Sequence, residues 1–321
     1  MIDESPNVGA KALFLRSTST NPFANLALER LLMDEVLPGE QLLFLWQNHR
    51  TVVVGRNQNP WKECRIAELE KDGGFLARRL SGGGAVYHDS GNLNFTFISP
   101  KASYSVERNL RVICDAVKSF GLDAAVSGRN DVEVEGMKFS GNAFFETDKA
   151  SCHHGTLMID VDVEELSRYL QPDPRKLSSR SIDSVKARVV NLQDLNSLVT
   201  VVSLGDALVE AFAREYGAPA CEIASDRLPQ PSSLSRETSR FASDDWRFGK
   251  TFTPTHQFSE RFPWGSVDIQ LKVGGGVIAE AMVYSDALDT AFAERLAASL
   301  KRRPYDEGLF IPLIVELAEE Y

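Results

Sequence analysis

Arg78-Arg79-Leu80-Ser81-Gly82-Gly83-Gly84-Ala85-Val86-Tyr87-His88-Asp89 is the stretch of this sequence best equipped for chemistry. Three consecutive glycines free the backbone for positive φ and let its N–H groups approach an anion or a carbonyl. Arg79, entering the loop, has the forked charge that phosphates and carboxylates take up best. The bland alternative is a flexible hairpin loop; two arginines before the glycines and His88-Asp89 after them weigh against it. The loop is not a Walker A, which needs GxxxxGK[ST], because these glycines lead into Ala85-Val86. Gly249-Lys250-Thr251 fails the same test, having Asp244 where the first glycine belongs. No GxGxxG opens a βαβ unit, which argues against a dinucleotide fold.

Three further segments stand out. In Gly128-Arg129-Asn130-Asp131 and Gly136 to Ala143, Lys138 lies in an otherwise apolar hairpin strand beside Ser140-Gly141. A lysine among apolar neighbours is costly without a partner charge, so Lys138 meets Asp131 or a ligand anion, unless it lies on a solvated face. In Cys152-His153-His154-Gly155-Thr156 the adjacent histidines of a strand point to opposite faces, so they cannot share one metal. One can face a pocket while the other packs. Lys176, Arg180, Lys186 and Arg188 form a local positive excess in 176–192, either a loop that folds over phosphates or a solvated connection.

The surrounding pattern interleaves strands and helices. Asn21-Pro22 reads as an N-cap with proline at the first helical position, and the helix runs to Pro38-Gly39. Leu42 to Trp46 and Thr51 to Val54 read as strands, Trp61 to Lys71 as a helix, and Phe75 to Leu80 and Asn92 to Ile98 as strands flanking the glycine loop. Leu110, Ile113, Cys114, Val117 and Phe120 share a helical stripe that ends at Gly121. Asp131 to Val134 and Met137 to Phe145 read as a hairpin turning at Glu135-Gly136. Thr156 to Val161 reads as a strand, and Val163 to Leu170 and Leu204 to Tyr216 as helices. Ser225 to Asp244, rich in serine and proline, reads as a linker, giving domains of 1–243 and 244–321. The tail, with its alternating Val267 to Val273 strand and a helix from Asp286 to Leu300, reads as a small α+β unit.

The chain has 321 residues, 35 Lys+Arg against 45 Asp+Glu and a net charge of −10. That balance supplies no global positive field for nucleic acid or anionic membranes. No apolar run reaches the roughly 18 residues of a membrane helix. The acidic start MIDESPNVGAK resembles no export signal, and the four cysteines (Cys64, Cys114, Cys152, Cys221) form no disulfide scaffold. These features point to a soluble cytoplasmic protein.

Five ordered segments then resemble one family. RRLSGGGAVYHDSGNLNFTF (Arg78 to Phe97), GRNDVEVEGMKFSGNAF (Gly128 to Phe144), HHGTL (His153 to Leu157) and SVKARVVNL (Ser184 to Leu192) are similar to the lipoate–protein ligase A family of the biotin/lipoate ligase superfamily. WRFGKTF (Trp246 to Phe252) and WGSVDIQLKV (Trp264 to Val273) are similar to the accessory domain of its long forms. The resemblance implies an α+β fold: a biotin/lipoate ligase-like catalytic domain of mixed β-sheets with packed helices, plus a small α+β C-terminal domain. It implies activation of lipoate by ATP to lipoyl-AMP, with pyrophosphate released. The lipoyl group then passes to a lysine of lipoyl domains of 2-oxoacid dehydrogenase complexes or of the glycine-cleavage carrier protein.

By the same resemblance Lys138 is the catalytic residue, bridging the lipoate carboxyl and the α-phosphate. Arg79, Ala85, Val86, Tyr87, His88, Asp131, Ser184 and Lys186 fall in the ATP and adenylate site with Lys138. Arg79, Ser81, Gly83, Gly84, Gly141 and His154 fall with Lys138 in the lipoate site. Asp131 orients Lys138 and joins the phosphates in holding Mg²⁺, and the 180–188 loop closes over the adenylate. Leu80 and Asn142 depart from the family pattern, where some members have a further basic residue and a small residue respectively. The nearest alternative is a lipoyl or octanoyl transferase of the same fold that works without ATP activation, through preformed lipoyl-AMP or a cysteine thioester. Cys152 is the one cysteine near the site for that thioester. A biotin ligase fits RRLSGGGAVYHD less well, and a non-catalytic binder of lipoyl domains has no need of Lys138 or Arg79.

Overall fold

The computed structural model describes residues 11–128, 130–171, 189–217 and 219–319. Arg129, Ser184, Lys186 and the 180–188 loop lie outside the described residues.

The main sheet has eight strands, made of β1 (Lys11–Arg16), β2 (Glu40–Trp46), β6 (Asn92–Pro100), β7 (Ala124–Ser127), β8 (Asp131–Val134), β9 (Met137–Glu146), β10 (Ala150–Met158) and β11 (Cys221–Glu222). Their order is β11-β1-β2-β6-β10-β9-β8-β7. β1 and β2 are parallel, and the chain crosses between them through the helix Pro22–Glu35, as parallel neighbours require. β11 also pairs in parallel with β1, and from β2 to β7 the sheet is antiparallel, with β10 between β6 and β9.

Both faces of this sheet are covered, which explains the unbroken apolar run of β2. Leu43 and Leu45 turn to one face with Leu93, Phe95 and Phe97 of β6, and there the helices Val106–Lys118 and Val201–Tyr216 pack. Leu42, Phe44 and Trp46 turn to the other face, against the helix Pro22–Glu35. The second face also carries a three-stranded sheet of β3 (Thr51–Val54), β4 (Phe75–Arg78) and β5 (Val86–His88), ordered β4-β3-β5. Residues 79–85, the glycine-rich loop, join β4 to β5.

The 225–244 stretch is not a linker. It contains a helix, Pro231–Ala242, whose Phe241 is 1% exposed and packs in the same core as the helix Pro22–Glu35. The serines hide this from periodicity, because the helix buries only a narrow stripe while serine occupies its wet side. The expected helix from Trp61 is two short helices, Pro60–Glu63 and Ile66–Lys71, broken where Cys64 bridges to Leu170. The expected strand at Thr156–Val161 starts earlier, at Ala150, so both histidines lie within β10.

The C-terminal unit has its own core. β12 (His256–Phe262), β13 (Gly265–Gly274) and β14 (Val277–Ser285) form an antiparallel sheet under the helices Phe292–Leu300 and Phe310–Glu319. The unit touches the glycine loop directly: Gly83 N–H donates to Ala287 O at 3.1 Å. A Cβ on Gly82 would stand 2.2 Å from that same oxygen, so only glycine permits the contact.

Candidate active site

The glycine loop, Val53 of β3, the helix Pro22–Glu35 and the second face of the main sheet enclose a cavity of about 630 Å³ including its open mouth. Strand register builds its floor. Trp46, Asn94 and Thr156 stand side by side on β2, β6 and β10, and Phe44, Thr96, His154 and Ala143 form the next row. Leu26, Trp46, Val53, Val86 and Ala143 give apolar walls. Lys138 lies at the open end, its side chain 37% exposed.

Lys138 Nζ is 2.7 Å from Asp131 Oδ1, across the β8–β9 hairpin. Of the partners open to it from sequence, Asp131 is the one it meets here. Gly141 keeps the space beside it, because a Cβ there would come within 3.1 Å of Nζ. Asn130 and Asn142 clasp each other through backbone and side-chain hydrogen bonds of 2.7–3.0 Å, fixing the loop before Asp131 against β9.

Arg79 is buried and does not extend toward the cavity mouth. Its Nε meets Ser81 Oγ at 3.0 Å, Nη1 meets Val53 O at 3.1 Å, and Nη2 meets Gly82 O at 2.6 Å and Gly84 O at 2.7 Å. Burial pulls its pKa down to about 10, with Glu29 opposing, which leaves it charged at neutral pH. The guanidinium therefore gathers loop carbonyls inward. In a planar trans peptide the N–H points opposite to its C=O, so the Ala85 N–H faces away from Arg79. The charge expected to meet a ligand holds the shape of the loop here, while Arg79 also lines the cavity. Arg78 does the same one step away, holding the carbonyls of Gly55, Arg56, Gln58, Trp246 and Arg247.

Ser81 and His154 belong to a buried relay. Ser81 Oγ lies 2.7 Å from His154 Nε2, and His154 Nδ1 lies 2.8 Å from Glu29 Oε1. Thr96 donates to the same Glu29 oxygen at 2.7 Å and accepts from Trp46 Nε1 at 3.0 Å. Glu29, Cys152 and His154 offer ligand atoms within 4.8 Å of one another. That trio does not fit a metal, because both ring nitrogens and Glu29 Oε1 are already committed and burial raises the Cys152 thiol well above its usual value.

The two histidines of β10 do face opposite ways. His153 stacks among Phe95, Phe97 and Phe144, with Nε2 2.8 Å from Asn142 Oδ1. Tyr87 also points away from the cavity: its hydroxyl donates to Glu165 Oε2 at 2.5 Å, on the other side of β5. Its neighbours Val86 and His88 line the cavity, as do Arg79, Gly83, Gly84, Ala85, Lys138, Gly141 and His154. Sequence reasoning missed Glu29, Trp46 and Asn94. Two signals were available: polar Asn25 and Glu29 four residues apart on an apolar helix, and Asn94 and Thr96 alternating with Leu93, Phe95 and Phe97.

Burial pulls the pKa of His88 and of His153 to about 3, so both rings stay neutral in the folded chain. Unfolded, they titrate near 6.5, so the unfolded state takes up protons first as pH falls. Their contribution is complete above about pH 6.5 and fades toward pH 3, by about 1.4 kcal/mol per pH unit for each ring. Urea midpoints at pH 7 and pH 5 test this, and equal midpoints would show that the rings are not held dry.

None of the four cysteines lines the cavity, and Cys152 is fully buried. Cys152→Ala is expected to retain acyl transfer to an acceptor within a few-fold of wild type; loss of transfer in a folded variant would restore the thioester route.

The family model for the lipoyl protein ligase A/B catalytic domain matches residues 21–213, and that for the bacterial lipoate protein ligase C-terminus matches residues 252–310. A lipoate-protein ligase A from Psychrobacter cryohalolentis is 44% identical over 304 residues, covering 92% of this chain and 90% of the relative. One from Bdellovibrio bacteriovorus is 40% identical over 296 residues, covering 90% and 87%. Among solved structures, P. falciparum LipL1 in complex with lipoate superposes with a TM-score of 0.81 at 29% identity, covering 95% of this chain and 94% of that one. A lipoate-protein ligase A bound with ATP gives 0.64 at 22% identity, covering 75% and 98%, which shows the shared fold. With both family regions in order and relatives aligned over nine-tenths of its length, the chain belongs to the lipoate–protein ligase A family of enzymes.

Proposed function

We propose that this chain activates lipoate with ATP and transfers the lipoyl group to a lysine of lipoyl-domain acceptors. The observation that carries the reading is the cavity itself, with apolar walls, edged by the glycine loop and, among the described residues, bordered by one lysine. A fatty tail with a terminal carboxylate fits that polarity. In the first step the lipoate carboxylate attacks the α-phosphorus of ATP, and the bond to pyrophosphate breaks. Negative charge gathers where two anions already repel, so a fixed cation there gives a large gain. Lys138 is assigned to bridge carboxyl and α-phosphate oxygens, with Asp131 holding its ammonium in place. The Arg79-shaped loop lines the same space, its backbone from Gly84 to Val86 beside the reacting groups.

In the second step an acceptor lysine amine attacks the lipoyl carbonyl. An amide forms, the amine loses a proton, and AMP leaves with the electrons of the broken anhydride bond. Acceptors of this reading are the lipoyl domains of 2-oxoacid dehydrogenase complexes and the glycine-cleavage carrier protein. No carboxylate is among the described residues that line the cavity, and Asp131 Oδ1 is taken by Lys138. Mg²⁺ brought in with ATP would be held mainly by the phosphates, with the second carboxylate oxygen of Asp131 as the nearby protein group to join them, and it would neutralise phosphate charge. On this reading the chain works in the cytoplasm, and no described helix is long and apolar enough to cross a membrane.

Lipoate-dependent exchange of labelled pyrophosphate into ATP, without any acceptor, tests activation directly. Exchange that requires lipoate and Mg²⁺ supports the two-step reading. A protein that is silent in exchange yet lipoylates an acceptor from synthetic lipoyl-AMP is a transferase lacking activation.

A further inference from the structure

The deep end of the cavity holds two buried nitrogens, on His88 and Asn94, that no group among the described residues takes up. The His88 ring borders the cavity and stands edge-on to Trp46 at 6.1 Å. Its protonation follows from a chain of amides. Asn25 Nδ2 faces the carbonyls of Ser19 at 3.0 Å and Gln47 at 2.8 Å, which fixes that amide's orientation. The same nitrogen meets Asn48 Oδ1 at 3.0 Å, so Asn48 Nδ2 is the atom left to face His88 Nδ1, at 3.2 Å. Nδ1 must then accept, and the ring proton belongs on Nε2. Nε2 is buried with no partner among the described residues. Asn94, 1% exposed, shares one bond with its neighbour Asn92, from Asn92 Nδ2 to Asn94 Oδ1 at 3.0 Å, and in this orientation Asn94 Nδ2 and Asn92 Oδ1 are both buried without a partner among the described residues.

These donors lie where the tail of a ligand anchored at Lys138 would end. Lys138 stands beside Gly141 of β9, and the Gly141 N–H reaches Thr156 Oγ1 of β10 at 3.4 Å. Thr156 pairs with Asn94 of β6, and Asn94 with Trp46 of β2. Neighbouring strands are about 4.8 Å apart, so Asn94 lies roughly 10 Å across the sheet from the β9 end. The other polar side chains at the deep end, Arg79 and His154, have their nitrogens committed.

We propose that the His88 Nε2–H, together with Asn94 Nδ2, donates to the sulfurs of the bound dithiolane ring, and that this pair makes the site select lipoate over acyl chains of the same shape without sulfur. The inference rests on the lipoate reading given above. A disulfide sulfur is a weak acceptor, but in a dry site the comparison is with no acceptor at all. An all-carbon tail would leave both donors buried and unpaired, and sites built around such donors reject analogues that lack the partner atom.

The test compares lipoate with 5-cyclopentylpentanoate, in which carbon replaces both sulfurs of the ring. ATP–pyrophosphate exchange is followed with each acid for wild type, His88→Phe and Asn94→Leu. Wild type is expected to favour lipoate in kcat/KM by about tenfold or more. Each variant is expected to lose most of that preference, because kcat/KM falls further for lipoate than for the cyclopentyl acid. A purely structural role would lower both acids together. Equal use of the two acids by wild type overturns the proposal, and so does an undiminished preference in folded variants. Should neither variant fold, the wild-type ratio decides alone. Absence of exchange with either acid is a separate result, and it overturns the lipoate reading itself.

Discussion

Lys138→Ala is expected to lose lipoate-dependent pyrophosphate exchange by roughly 10²–10³-fold while keeping its fold. The size follows from removing one preorganised cation from the point where carboxylate and phosphate charges meet. The fold survives because the truncation opens space at a half-exposed mouth, not in the core. Asp131, left without its partner, is 34% exposed in its side chain and can be hydrated. The backbone bond from Val190 N–H to Lys138 O is untouched by the substitution. Stability should therefore move by less than about 1 kcal/mol, the usual worth of an exposed pair. Exchange at near-wild-type rates, in a protein with an unchanged urea midpoint, would remove Lys138 from the reaction.

Arg79→Met is expected to fail differently, losing both exchange and stability. Four acceptors depend on this guanidinium: Ser81 Oγ and the carbonyls of Val53, Gly82 and Gly84. Removing it leaves buried carbonyls unpaired and the buried Glu29 without the nearby positive charge, which together cost about 3–5 kcal/mol. The loop between β4 and β5 then loses the force that turns its carbonyls inward, so exchange falls even in the fraction that folds. Arg79→Lys should recover only part of either property, because one ammonium cannot span four acceptors set around a planar fork. Urea unfolding with an unchanged slope measures the loss. A cost under about 1 kcal/mol would show that the loop holds its shape without the guanidinium.

Some of this was legible in the residues and some was not. Strands β2 and β3, the Pro22–Glu35 helix with its Asn21 cap, and the β8–β9 hairpin were readable, because short-range periodicity and turn residues specify them. The glycine loop, Lys138, Asp131 and the opposed histidines were likewise found from residue type and spacing. The Pro231–Ala242 helix was misread because its burial depends on a single aromatic, Phe241, meeting a core built by residues two hundred positions earlier.

The sequence by itself determined which chemistry is available: a glycine-rich loop entered by two arginines, a lysine with an acidic neighbour, and histidines set on opposite sides of one strand. Tertiary structure decided how each group is spent. Arg79 turned inward because three carbonyls and a hydroxyl surround it, Tyr87 turned away to Glu165, and Glu29 joined His154 from a helix 125 residues earlier in the chain. Hydrogen-bond partners of buried groups are set by strand register and layer packing, which bring distant segments within 3 Å. No local spacing rule carries that information. The unpaired donors of His88 and Asn94 belong to the same class, visible only once every neighbouring acceptor has been placed.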